Sequence, residues 1–328
     1  MTHPLSSPAV RVHAIGGPEV MQLESVEVPA PGPQQVRIQQ SAVGINYIDV
    51  YHRTGVYPIG LPAIIGSEAV GVVESVGSAV HDLRVGQRVT YAPVIGAYAQ
   101  YRNLNADRAI LVPDGLSDTQ VAGMMLKGMT AHSLVRRAYP VKAGDTVLIQ
   151  AAAGGVGLIV CQWAKHLGAT VIGTVGSEEK AALVRAHGAD HTILYRDRDF
   201  VQAVKDITAG SGVQAIFDGV GKDTFVPSLK CLAPFGTIVS FGQASGMVPP
   251  FDLVGLRTNS AYITRASLAI HVSQRRDLLV SAQELFEVVL NGAVRIDVKR
   301  QFKLSQAALA HRELEGRQTL GSSIFTLP

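Results

Sequence analysis

The sequence predicts an α/β chain in two parts, a β-rich first part and a doubly wound parallel sheet after it, and three observations carry that class. Over residues 10–118 short alternating segments are punctuated by glycine and proline turns, the pattern of a compact barrel. From residue 146 to about 263 strand-length apolar runs alternate with helical ones. Two of these units, Leu167-Gly168-Ala169 and His187-Gly188-Ala189, each end a helix on glycine and turn straight back into a strand.

In the first part, residues 36–40 alternate as a half-buried strand does, and the Pro29-Ala30-Pro31-Gly32-Pro33 run before them is loop. Residues 66–77 read as a strand with glycines where backbones approach closely, and 82–89 as a turn then a strand. At Ser117 the period changes: Ser117 with Gln120 three residues on makes a capping box, and helical spacing follows through Leu134.

Residues 144–165, GDTVLIQAAAGGVGLIVCQWAK, organise the second part. The strand 146–149 runs into the turn Ala152-Ala153-Gly154-Gly155-Val156-Gly157, and Val156, Ile159, Val160, Trp163, Ala164 and Leu167 then follow at helical spacing to Gly168. Strands are expected at 171–175, 191–194, 213–217 and 237–241, with helices at 178–186, 200–208 and 224–231. After Arg265 come a helix at 274–290, a strand at 297–302, a helix at 305–314 and a last strand at 322–326. A lone terminal strand is no domain, so this tail is expected to return to the first part. The expected domains are 1–125 completed by 266–328, and an inserted 126–265, with a cleft between the two bodies.

At 328 residues and 47% hydrophobic the chain can fill two cores. A net charge of +3 without a basic block gives no nucleic-acid footprint. Cys161 and Cys231 are far apart and flanked by apolar residues, which reads as buried thiols in a reducing compartment, not a disulfide framework. The N-terminus has no charged region leading into an apolar one, so no secretory signal is expected. Residues 147–164 are apolar, but their glycines fall in a block and Lys165 and His166 end them, which suits a strand and helix better than a membrane span. A soluble cytoplasmic protein is expected.

The turn has the spacing A-x-x-G-x-x-G, with Ala151 or a neighbour in the first glycine's place. Free N–H groups at a helix start, reinforced by the helix dipole, attract a pyrophosphate, and glycines let the ligand approach the backbone. A tight strand-to-helix turn that binds nothing is the competing reading, but it needs glycine once rather than three times in four residues.

Over nearly its whole length the chain resembles the medium-chain dehydrogenase/reductase superfamily, and within it the zinc-independent NADPH:quinone oxidoreductases that include zeta-crystallin. The residues that carry the resemblance are Gly144-Asp145, Leu148, Ala152-Ala153-Gly154-Gly155, Gly157, Gln162 and Lys165. Matching stretches are Asn46-Tyr47-Ile48-Asp49-Val50-Tyr51, Gly55-Val56-Tyr57-Pro58, Lys127-Gly128-Met129-Thr130-Ala131 and Gly316-Arg317-Gln318-Thr319-Leu320-Gly321-Ser322-Ser323. The resemblance implies a GroES-like β-barrel catalytic domain, a Rossmann domain for NADPH, a small quinone as substrate, and a homodimer joined through the Rossmann domain, where residues 260–264 pair edge to edge. Zinc alcohol dehydrogenases carry a cysteine ligand in the first domain and a Gly-His-Glu segment; here Asn46 and its neighbours, and Gly66-Ser67-Glu68, stand in those places. With no cysteine before Cys161 and most of the ten histidines alone, no metal is expected.

An NAD-binding fold carries an acid about twenty residues past the glycines, where it accepts from the ribose 2′-OH. Here Gly173-Thr174-Val175-Gly176-Ser177 puts no carboxylate at the strand tip; Gly176 and Ser177 leave room for a phosphate and Lys180 can reach it. Tyr195 and Arg317 complete the cluster that the resemblance places around the 2′-phosphate. Glu178 and Glu179 complement the helix dipole equally well, and Lys180 and Arg317 also read as solvated charges.

By the same resemblance, Asn46, Asp49, Tyr51 and Tyr57 form the catalytic group, with Asn46 also on the nicotinamide side. Gly154, Gly155 and Val156 hold the pyrophosphate, Lys127 and Thr130 the ribose and nicotinamide, and Phe241-Gly242 and Arg265 complete the cofactor contacts. Against this, Asn46 and Asp49 read as helix caps, the tyrosines as packed rings with a wet hydroxyl, His52 as a structural histidine, Lys127 as a surface cation and Arg265 as a partner for a carboxylate. Two other activities stay open: reduction of activated carbon–carbon double bonds, and a non-catalytic NADPH-binding protein of crystallin type.

Overall fold

In the computed structural model, residues 5–316 and 319–328 are described. The chain divides into two compact units: Met1–Lys127 with Val272–Phe286 and Ile296–Pro328, and Gly128–His271 with Glu287–Arg295.

The first unit is built on two sheets. A three-stranded one runs Met21–Val28, Leu5–Val12, Ala63–Ile64; the larger runs Val298–Lys303, Ser322–Thr326, Gln35–Ile45, Ala69–Val76, Arg88–Tyr91, Ile110–Leu111, with Tyr101–Asn105 also paired to Gln35–Ile45. The last strand lies antiparallel to Gln35–Ile45, with Ser323 opposite Ile45 and Phe325 opposite Val43. Val10 and Val12 from the small sheet meet Ile38, Ile45, Phe302 and Phe325 from the large one in a single apolar core. Gln35–Ile45 extends well past the alternating residues 36–40, because partners on both sides keep its far end buried.

The second unit is a six-stranded parallel sheet in the order His191–Leu194, Thr170–Val175, Thr146–Ile149, Val213–Asp218, Leu232–Ser240, Tyr262–Arg265. Chain order reverses beside Thr146–Ile149, and a crevice at the carboxyl ends of the strands is the usual ligand site of such a sheet. Leu148, Ile172, Ile193, Ile216 and Ile238, one from each of five strands, form the core beneath it.

Most elements fall where periodicity puts them. Glu178–Ala186, His191–Leu194 and Ser322–Thr326 match to the residue, and the Ser117 capping box forms: the Gln120 N–H donates to Ser117 Oγ and the Ser117 N–H to Gln120 Oε1. Two elements of the second unit differ most. The helix expected over 224–231 is a short α-helix, Phe225–Ser228, that tightens into a 3₁₀ turn, Leu229–Cys231. The fifth strand begins at Leu232 rather than 237, because Ala-Pro-Phe-Gly reads as a turn while the chain absorbs it as an irregular stretch with Phe235 at φ 59°. Cys161 and Cys231 are both buried free thiols, and burial raises both. No described helix is long and apolar enough to cross a membrane.

Candidate active site

In the second unit the strand Thr146–Ile149 leads into Gly154, the N-cap of helix Gly155–His166. Gly154 offers no capping side chain, so the N–H groups of Gly155, Val156 and Gly157 have no carbonyl one turn back and stand at the positive end of the helix dipole. Gly157 is required by space: a Cβ there would lie 2.7 Å from the carbonyl oxygens of Ala151 and Ala152. Backbone donors at the start of a helix are the arrangement that can receive an anion.

The second strand ends at Val175, and Gly176 and Ser177 follow. A Cβ on Gly176 would lie 2.8 Å from the Tyr195 hydroxyl and 3.5 Å from Arg196 Nε, so Tyr195 and Arg196 flank this strand tip. Ser177 caps helix Glu178–Ala186, its Oγ accepting from the Lys180 N–H at 3.4 Å, which fixes Lys180 in the first turn. A lysine there opposes the helix dipole, an arrangement that an anion beside it would repay. Glu178 is drawn down the helix to Arg185. Arg196 escaped sequence reading; its only signal is that it follows Tyr195 directly.

At the far end of the sheet Phe241 lies against Gly219, where a Cβ would be 2.8 Å from its ring, and Gly242 lies over the Gly219 carbonyl. Arg265 donates to Ser240 Oγ at 2.8 Å and to the Gly242 carbonyl at 3.0 Å, pinning that loop. Asp218, fully buried, accepts from the N–H groups of Val220 and Gly221 and from Thr224. Thr130 lies half-buried on helix Asp118–His132. Arg317 lies outside the described residues.

In the first unit Asn46 sits where Gln35–Ile45 hands over to helix Tyr47–Thr54, and it caps that helix, as the bland reading had it. Its N–H donates to Asp49 Oδ2 at 2.9 Å, and its side-chain amide donates to Glu68 Oε1 at 2.8 Å. Glu68 also accepts from Lys127 Nζ at 3.2 Å and from the Leu126 N–H at 2.5 Å. Lys127 is therefore no surface cation: it is 7% exposed and paired with a carboxylate that is 0% exposed.

Asp49 is fully buried and accepts from Ser67 Oγ at 2.8 Å and Tyr98 OH at 2.9 Å as well as from Asn46. Burial outweighs these donors and raises its carboxyl to about 7. His311 Nε2 lies 3.0 Å from the Tyr98 hydroxyl, and burial pushes the ring down to about 3, keeping it neutral. Tyr51 and Tyr57 pack edge to face with ring centroids 5.1 Å apart, Tyr51 buried and Tyr57 half-buried. His52 is buried and its pKa is lowered by burial, the behaviour of a structural histidine.

Glu68, Ser67, Tyr98 and His311 were not singled out from sequence as site residues. Glu68 had a signal in the Gly66-Ser67-Glu68 segment; Tyr98 and His311 had none, because their partnership spans 213 positions.

The chain matches the model of the alcohol dehydrogenase GroES-like domain over residues 32–136 and that of the zinc-binding dehydrogenase over 155–280. Among the described residues no three His, Cys, Asp or Glu side chains are arranged to hold a metal, and both cysteines are buried in the second unit, so the zinc of that second description does not fit here. A quinone oxidoreductase of Pseudomonas aeruginosa is 44% identical over 96% of this chain and 98% of its own. A 2-haloacrylate reductase of a Burkholderia species is 45% identical over 97% of this chain and 98% of its own. The crystal structure of Escherichia coli quinone oxidoreductase complexed with NADPH superposes with a TM-score of 0.95 at 42% identity, covering 98% of this chain and all of that one.

Two outcomes test this geometry. Lys127→Met leaves Glu68 buried without its counter-charge and is expected to cost about 3–5 kcal/mol in urea unfolding, whereas Lys127→Met with Glu68→Gln recovers most of that loss. Equal losses would show the pair to be irrelevant to stability. For Asp49, the folded pKa lies above the ordinary 3.8, so the folded state holds a proton that the unfolded chain releases. Its stabilisation is full below about pH 4 and disappears as pH rises through about 7, a swing of about 4 kcal/mol at most. Asp49→Asn is expected to abolish this slope in unfolding free energy; an unchanged slope assigns it elsewhere.

Proposed function

We propose, starting from the fact that this chain belongs to the quinone oxidoreductase family of medium-chain dehydrogenases and reductases, that it is an enzyme that reduces quinones with NADPH and without a catalytic metal. One observation carries the cofactor choice. The second strand tip has no carboxylate to accept from a ribose 2′-OH, and instead presents Gly176, Ser177 and the first-turn Lys180, flanked by Tyr195 and Arg196. An acid there would repel a 2′-phosphate; donors and cations attract one.

The bound cofactor supplies a hydride from its nicotinamide, which with one proton converts a quinone to a hydroquinone. The chain's part is to bind and to orient. The N–H groups of Gly155, Val156 and Gly157 take the pyrophosphate; Ser177, Lys180, Tyr195 and Arg196 take the 2′-phosphate, with Arg317 proposed beside them. Lys127 and Thr130 are proposed for the ribose and nicotinamide, with Glu68 fixing the reach of Lys127. Phe241 and Gly242, held by Arg265, are proposed at the nicotinamide ribose. Asn46, Tyr51 and Tyr57 are proposed to face the quinone, whose oxygens a tyrosine hydroxyl can protonate or polarise. Asp49 is enclosed by its donors and acts by holding Asn46.

The relative named 2-haloacrylate reductase favours a second reading, reduction of activated carbon–carbon double bonds by the same hydride. We place the enzyme in the cytoplasm, consistent with two free thiols. We also infer a homodimer formed on the edge strand Tyr262–Arg265, where Tyr262 is 60% and Ile263 39% exposed beside unpaired backbone groups.

Steady-state assays should show NADPH consumed with benzoquinone or phenanthrenequinone, and Lys180→Ala should raise KM for NADPH about tenfold while leaving that for NADH unchanged. Turnover of haloacrylates or alkenals alone would replace the first reading by the second, and binding without any turnover would leave only a crystallin-like role. Light scattering should read twice the 34.7 kDa chain mass, and Ile263→Lys should halve it; a monomeric wild type refutes the edge pairing.

A further inference from the structure

Ala151 is one of four non-glycine residues with positive φ among those described, and it stands where the first strand enters the anion-binding turn. Its φ is 53°, a conformation that disfavours any side chain with a Cβ and that glycine adopts without strain. Something must therefore hold the chain there. The Ala151 N–H donates to Thr174 Oγ1 at 3.2 Å, and the Ala152 N–H donates to the Thr174 carbonyl at 3.0 Å. The Thr174 hydroxyl in turn donates to Gln150 Oε1 at 2.6 Å, and Gln150 Nε2 donates to Ser228 Oγ at 3.0 Å.

All three side chains are buried, at 1%, 2% and 0% exposure for Thr174, Gln150 and Ser228. They cannot touch a ligand at the strand ends, and an apolar residue would pack there without needing partners. Their common product is the orientation of Ala151. Its carbonyl accepts from the Gly154 N–H at 2.9 Å, and together with that of Ala152 it sets how close Gly157 can come. The start of helix Gly155–His166 is thereby placed.

We propose that Thr174, oriented by Gln150 and Ser228, is a positioning residue that holds Ala151 in the left-handed conformation and so aims the N–H groups of Gly155, Val156 and Gly157 at the cofactor pyrophosphate. The proposal rests on the reading of this turn as the NADPH seat. Thr174 does its work through the backbone of Ala151, and a glycine at 151 makes that work unnecessary.

The test is NADPH affinity of the full-length protein by calorimetry, with amide hydrogen exchange of residues 151–157 read on the cofactor-free protein. Thr174→Val keeps the shape and removes the hydroxyl; Kd for NADPH is expected to rise about fivefold, the size of one net hydrogen bond, with kcat at saturating NADPH unchanged. Exchange at 151–157 should quicken. Thr174→Ser restores both, and so does Ala151→Gly placed in the Thr174→Val protein. Should Thr174→Val fail to fold, Ser228→Ala serves at the far end of the chain of bonds, with a rise of roughly twofold. A Thr174→Val protein that binds NADPH like the wild type, or whose weakened binding Ala151→Gly leaves uncorrected, overturns the proposal. A wild type that does not bind NADPH instead refutes the reading of the turn; the exchange measurement then still decides whether Thr174 holds it.

Discussion

A carboxylate with no access to water has to be given donors, and the first unit is arranged around meeting that demand at Glu68. Isolated, such a charge would cost several kcal/mol or take up a proton. Here three donors from two parts of the chain converge on it: the Asn46 amide from the end of a strand, and the Lys127 ammonium and Leu126 N–H from a helix. The demand reaches into the strand Gln35–Ile45 as well, since a Cβ on Gly44 would sit 2.0 Å from Glu68 Oε1. Lys127 is consequently held by its head as well as its stem, with little of the rotamer freedom a surface lysine has.

Asn46 is shared between two buried carboxylates, its side chain given to Glu68 and its N–H to Asp49. The two acids differ in what balances them. Glu68 has a cation; Asp49 has hydrogen bonds alone, from Asn46, Ser67 and Tyr98. Hydrogen bonds alone do not offset the burial of Asp49, whose carboxyl is raised to about 7. The line continues through Tyr98 to a neutral His311 whose Nδ1 has no partner among the described residues, near a buried Arg53 that disfavours any charge on the ring. A network of this kind fixes one geometry for the residue at its head, which is Asn46.

The parts of this structure that were legible in the sequence are those written in local terms. The parallel sheet of the second unit was readable because each strand and helix carries its own period and its own glycine stop, as in Leu167-Gly168-Ala169. The strand Thr146–Ile149, its glycine turn and the helix Gly155–His166 were readable for the same reason: they are contiguous. Glu68 was visible only as a departure from another pattern, and its pairing with Lys127 joins residues 59 positions apart. The bonds that Arg265 makes to Ser240 and Gly242 were not legible, since they join residues more than twenty positions apart. Leu232–Ser240 was shortened in the reading because Pro-Phe-Gly has turn chemistry that the neighbouring strands override.

Three helix starts in the second unit that carry a side-chain cap give the measure against which the start of helix Gly155–His166 is read. Helix Glu178–Ala186 starts on Ser177, which accepts from the Lys180 N–H, and helix Phe200–Ile207 starts on Asp199, which accepts from the Val201 N–H. The turn at Leu253–Thr258 likewise starts on Asp252, bonded to the Val254 N–H. Each of these ends satisfies one of its own donors from a side chain, as helix ends in water generally do. Helix Gly155–His166 is longer than any of them and has the larger dipole to answer, yet it begins on a glycine that can answer nothing. A serine or aspartate at 154 would have stabilised the helix by roughly 1 kcal/mol while placing an oxygen where an anion is to lie. Forgoing that cap is a cost with one compensation the geometry supports, a negatively charged group that completes the helix only when it is bound.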